Sequence, residues 1–180
     1  MLFRSRLIFH ELAHQVVYAR DDTVFNESFA VTVEIEGVKR WLARAGDERA
    51  RVEFERMQRI RDQFGRLVEN HRGRLEALYR TRIAPDAMRS RKSRILDEFE
   101  QEYRALKQGW DGFAGYDRWF AQKPNNAQLA SVAIYAQMVP AFQALLAREG
   151  GDLSRFYRAV KELAELPKEE REARLRALAP

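Results

Sequence analysis

Two histidines four positions apart, in His10-Glu11-Leu12-Ala13-His14, constrain this chain more than any other feature. On an α-helix, residues at that separation share one face, one turn apart, so both imidazoles can aim at a single point. Glu11 stands beside them. Imidazole pairs of this kind suit zinc, and a catalytic zinc takes three protein ligands and leaves one position for water, whose pKa it lowers to about 7. The chain must therefore bring a third ligand back to the histidine helix. Glu11 is then placed to take a proton from the water.

Asp21 and Asp22 are the nearest carboxylates downstream, but Arg20-Asp21-Asp22-Thr23 reads as a turn with caps for the next helix. Glu27 lies near the start of an apolar-rich helical segment, Phe25 to Leu42, which returns to the histidines if it runs antiparallel. Glu34, seven residues on and on the same face, is either the third ligand instead or a partner that orients a histidine from behind. Asn26, next to Glu27, is a candidate for the same supporting role. Leu7, Ile8, Leu12, Ala13, Val16 and Val17 flank the histidines and predict a buried helix, where polar groups need partners.

His10-Glu11-Leu12-Ala13-His14-Gln15 with Asn26-Glu27-Ser28-Phe29-Ala30 resembles the gluzincin metallopeptidases of the aminopeptidase N type, which carry HExxH and then Asn-Glu-Gly-Phe-Ala. The chain more closely resembles a bacterial family of predicted aminopeptidases, over most of its length. The segments carrying that likeness are Phe25 to Leu42, Asn125-Asn126-Ala127-Gln128-Leu129-Ala130, and Tyr135-Ala136-Gln137-Met138-Val139-Pro140-Ala141-Phe142. The resemblance implies zinc ligands at His10, His14 and Glu27, a general base at Glu11, and a bacterial cell-envelope location. Relatives of aminopeptidase N also use a tyrosine to stabilise the oxyanion. Tyr135 is either that donor here or a buried tyrosine with a backbone partner.

The pattern departs from aminopeptidase N in three places. The connection from His14 to Glu27 is shorter, so a tight link must join the two helices. Ser28 stands where that pattern has Gly. Only nine residues precede His10, which leaves no room for the upstream sheet and free-amine motif. The chain thus reads as the C-terminal part of a longer protein, with its cleft completed by an upstream lobe or by a second copy.

Composition narrows the rest. With no cysteine there is neither a disulfide framework nor a thiolate site, so zinc would be held by nitrogen and oxygen. No apolar run reads as long enough to cross a bilayer, and Arg4, Arg6, His10 and Glu11 interrupt any signal-peptide pattern. The net charge is +5, but basic and acidic residues are interleaved, as in Lys168-Glu169-Glu170-Arg171-Glu172, which indicates solvated helix faces rather than a nucleic-acid surface. The densest basic cluster, Arg89-Ser90-Arg91-Lys92-Ser93-Arg94, reads as surface charge first, with phosphate or an anionic membrane surface as the alternative.

Past the first two helices the sequence predicts an all-α fold. Met57, Ile60, Phe64, Leu67, His71, Leu75 and Leu78 step by threes and fours; Pro85 breaks the run; Ile95, Phe99, Tyr103, Leu106 and Trp110 resume it. That is a long antiparallel hairpin, with His71 a packing residue of its seam. Gly109 to Tyr116 either lines a cleft or closes the end of the core with its aromatics. Asn125 or Asn126 caps a helix running on to Leu146, and packing helices follow at Leu153 to Leu166 and Pro167 to Leu178. The expectation is one helical domain over 1–180: zinc-site helices at 1–45, the hairpin at 46–110 and a C-terminal bundle at 111–180.

These observations predict a zinc-dependent peptide hydrolase, aminopeptidase-like by resemblance, in which Glu11 activates a zinc-bound water. The alternative is a non-catalytic helical binding or scaffold module with a structural or vestigial metal site.

Overall fold

Asx residues, glycines and prolines set the helix ends, and apolar spacing sets the faces that pack. The computed structural model describes residues 2–178 and, among them, is helical without strands. The helices are α1 (Leu2–Val16), α2 (Thr23–Ala45), α3 (Glu48–Tyr79), α4 (Pro85–Lys107), α5 (Asp117–Ala121), α6 (Asn126–Ala136), α7 (Val139–Arg148), α8 (Leu153–Ala164) and α9 (Lys168–Arg176). The all-α expectation holds. The segments read from sequence are distributed over two compact units, Met1–Val52 with Ile134–Pro180, and Glu53–Ala133.

In the first unit α1 and α2 form an antiparallel hairpin. Its link is fixed by side chains that satisfy backbone groups. The Asn26 amide bonds Ala19 twice, accepting from its N–H and donating to its carbonyl, each at 2.8 Å. Asp22 caps α2 by accepting from the Phe25 N–H at 3.2 Å, and Asp21 takes the left-handed conformation at φ 58°. Arg171 of α9, itself buried, pairs with the buried Asp22, donates to the carbonyls of Leu163, Ala164 and Leu166, and lies over the Phe25 ring. The core beneath is aromatic: Phe25 and Phe29 pack against Phe142 of α7 and Phe156 of α8, all fully buried. The tight link that the sequence demanded is therefore built from Asn26, Asp22 and a distant arginine.

α1 meets α2 through Phe9 and Ala13, joined by Val17 just after its end. Phe9 lies so close to Gly37 that a Cβ there would come within 2.7 Å of its ring. Gly37→Ala should therefore destabilise the unit by about 1–3 kcal/mol through overpacking, read as a lowered thermal midpoint.

Three expectations need correcting. Leu7, Ile8 and Leu12 are 52, 57 and 56 % exposed, so the histidine helix is not buried all round. At 100° per residue they lie about 100–140° around the axis from Ala13, and α2 covers only the Ala13–Val17 side. Nor does the helix after Asn125 continue to Leu146. It stops at Ala136 and restarts at Val139, where Pro140 cannot extend a preceding helix and the Met138 N–H donates instead to the Ser28 hydroxyl at 3.2 Å. Residues 126–148 are, against expectation, apolar and long enough by composition to cross a bilayer. In α7, however, Val139, Ala141, Phe142, Leu145 and Leu146 are buried core residues.

In the second unit α3 and α4 pair antiparallel through Ile60, Phe64, Leu67, Val68 and Leu75 against Phe99 and Tyr103. His71 is fully buried against Phe99, with its Nδ1 3.0 Å from the Leu67 carbonyl oxygen, a packing residue as expected. Trp110, Phe113 and Tyr116, followed by Trp119 and Phe120, close the end of this core; Tyr116 stacks on Phe64 at 3.7 Å and Phe120 on Tyr103 at 4.0 Å. With Trp110 buried and Phe113 and Tyr116 half-buried against this core, the segment's aromatics match the closing role of its two readings. Asn125 and Gln128 cap α6 reciprocally, each side chain accepting from the other's backbone N–H.

Candidate metal centre

Because α1 and α2 run antiparallel, the start of α2 meets the end of α1. His10 Nε2 lies 3.2 Å from Glu27 Oε2, and His14 Nε2 lies 3.8 Å from Glu27 Oε1. The two imidazoles stand edge to face, 5.0 Å apart at their centroids. His10, His14 and Glu27 each offer a ligand atom, and these atoms all lie within 4.8 Å of one another. Their side chains are 14, 19 and 19 % exposed, which leaves the cluster open to small molecules.

The donor set fits zinc. Ligand atoms about 2.0–2.2 Å from a tetrahedral ion sit about 3.3–3.6 Å from one another. The two histidine–carboxylate separations lie on either side of that range. With two nitrogens, one carboxylate and no sulfur, the set matches a three-ligand centre that keeps a fourth position for water.

Glu34 stands behind the cluster. Its Oε2 lies 3.4 Å from His10 Nδ1, on the ring edge opposite Glu27. Arg6, one turn before His10 on α1, grips the other oxygen, Oε1, through both Nε and a terminal nitrogen. Glu34 is almost wholly buried, and the paired guanidinium offsets the cost of burying its charge. Of the two roles open to Glu34, this arrangement matches the supporting one: an acceptor for Nδ1–H leaves the Nε2 lone pair free for metal. His14 has no such support. Its Nδ1 is buried and unpartnered among the described residues.

The other candidates fall elsewhere. Glu11 is exposed on α1, between the histidines in sequence, with no ion-pair or hydrogen-bond partner among the described residues. Asn26 does not face the histidines; both ends of its amide are spent on Ala19, so it supports the site by fixing the link. Tyr135 is 48 % exposed rather than buried. It makes no described contact with the cluster, but it belongs to the same unit and sits three residues before Met138, which is tethered to Ser28 beside Glu27. Two contributors escaped the sequence reading. Arg6 carried a usable signal, since it is four residues from His10 and so on its face. Ser28, read only as a substitution for Gly, serves as the acceptor for Met138.

A protein-family model described as "Putative aminopeptidase" matches residues 4–175. No curated protein and no solved structure matches the chain. The match takes in nearly the whole sequence, so the chain belongs to this family, and the family's description supports a peptidase.

Proposed function

We propose that the chain is a zinc-dependent peptide hydrolase, aminopeptidase-like, with His10, His14 and Glu27 as metal ligands and Glu11 as general base. The observation that carries this reading is the convergence of three ligand atoms within 4.8 Å from two helices. When bound, zinc supplies Lewis acidity and brings the pKa of a water to about 7. The remaining roles belong to the chain. Glu34 accepts from His10 Nδ1–H and fixes the ring, and Arg6 fixes Glu34. Glu11, an unpaired carboxylate on the open side of α1, takes the proton from the attacking water and passes it to the leaving amine. Tyr135 is the proposed hydrogen-bond donor to the oxyanion, supported by its exposure and by the tether between Met138 and Ser28.

Metal analysis beside peptide hydrolysis tests the proposal. Purified protein should carry about one zinc per chain, lose hydrolysis on chelation and regain it with added zinc. Hydrolysis that survives complete metal removal would overturn it. The supporting role of Glu34 gives a graded prediction: Glu34→Gln should weaken zinc binding about 10–100-fold without abolishing it, measured by competition with a chromophoric chelator. Complete loss of zinc in that variant would make Glu34 a ligand.

A further inference from the structure

The net charge of the chain is confined to one place. Residues 80–94 hold six of the 32 basic residues and one of the 27 acidic ones, which leaves 26 of each sign in the rest of the chain. These residues form the end of the α3–α4 hairpin: the link after Tyr79 and the first turns of α4. Arg80, Arg82, Arg89, Arg91 and Arg94 are exposed and Lys92 is half-buried. Arg89 pairs with Asp86, the only acidic residue there. Arg80, Arg82, Arg91 and Lys92 face no carboxylate within ion-pair distance among the described residues. Along the bodies of the same two helices the pattern reverses: Arg72 bonds Glu69 and Glu76, Arg74 bonds Glu98, and Arg104 bonds Glu100.

From this charge complementarity we infer that the hairpin end docks on an anionic lipid bilayer surface. The arrangement favours a planar partner. At 100° per residue, Arg89 and Lys92 share one side of α4 while Arg91 and Arg94 share the roughly opposite one, so no single face carries all four in a stripe that tracks a phosphate backbone along a duplex. A membrane met by the end of the hairpin engages all of them together. Ile83 and Met88, half-buried among the arginines, add apolar contact of the kind interfacial segments use. The ring best placed to stack on a base, that of Tyr79, is held by its hydroxyl to Asn126. The inference is independent of the metal centre.

Sedimentation with phosphatidylcholine vesicles, with and without phosphatidylglycerol, tests it on the full chain. Binding should require phosphatidylglycerol and weaken as salt is raised. Each basic residue near the surface contributes about fivefold in partition. Combining Arg89→Gln, Arg91→Gln, Lys92→Gln and Arg94→Gln should therefore cost several hundredfold. Arg80→Gln with Arg82→Gln, which lie outside both helices, should cost about 25-fold and covers the case in which the first variant misfolds. A charge-matched control at exposed positions of α7 and α8 (Arg148→Gln, Arg155→Gln, Arg158→Gln, Lys161→Gln) should bind as the wild type does. The inference is overturned if the wild type ignores phosphatidylglycerol, if the control loses as much as the hairpin variants, or if duplex DNA binds more tightly than the vesicles at the same salt.

Discussion

Glu11→Gln should lower the rate of peptide hydrolysis by about 10²–10⁴-fold while leaving zinc bound. The amide is nearly isosteric with the carboxylate but cannot accept the proton of the attacking water at neutral pH. Because Glu11 is exposed and makes no ion pair or hydrogen bond among the described residues, its replacement takes no support from the fold. The helix and both histidines should therefore survive, with thermal midpoint and zinc content close to wild type. That combination separates loss of chemistry from loss of structure. Unchanged hydrolysis in the variant would remove Glu11 from the mechanism. Stoichiometric zinc without turnover in the wild type would instead mark a binding or scaffold module with a structural metal.

His10→Ala, His14→Ala and Glu27→Ala should each reduce zinc from about one equivalent per chain to a small fraction of one. A three-ligand site loses a third of its protein donors in each variant, and Glu27 also faces both imidazoles. The loss has a second readout in stability. An ion that binds only the folded state stabilises it by about 4 kcal/mol when present at a thousand times its dissociation constant. Added zinc should thus raise the wild-type thermal midpoint by several degrees and leave these variants almost unmoved. Glu34→Gln should retain part of the rise, because its carboxylate acts through His10. If Glu27→Ala kept the full zinc-dependent rise, another carboxylate would have to be the third ligand.

The histidine spacing, the turn at Asp21–Asp22 and the antiparallel return of Phe25 to Leu42 were legible because each depends on local geometry: helical period, capping chemistry and chain reversal. The α3–α4 seam was legible for the same reason. What was not legible depends on which side of an element finds a partner. Leu7, Ile8 and Leu12 look like core residues in a list of apolar positions, yet they lie on the side of α1 that α2 leaves bare. The break at Gln137–Met138 relies on a hydroxyl at Ser28, 110 residues away in sequence. Arg6 and Glu34 are each unremarkable alone and become part of the centre only when the hairpin brings them together. In sequence the charge at the hairpin end is a run of basic residues; its weight emerges because arginines along the helix bodies are paired while Arg80, Arg82, Arg91 and Lys92 face no carboxylate among the described residues.

The account stands most directly on the position of one metal ion. A crystal of the zinc-loaded protein, with anomalous differences collected at the zinc edge, should show a single peak about 2.0–2.2 Å from His10 Nε2, a ring nitrogen of His14 and a carboxylate oxygen of Glu27. Glu34 should remain on His10 Nδ1 and in the grip of Arg6. A peak elsewhere, or none at this cluster in protein that hydrolyses peptides, would contradict the central claim.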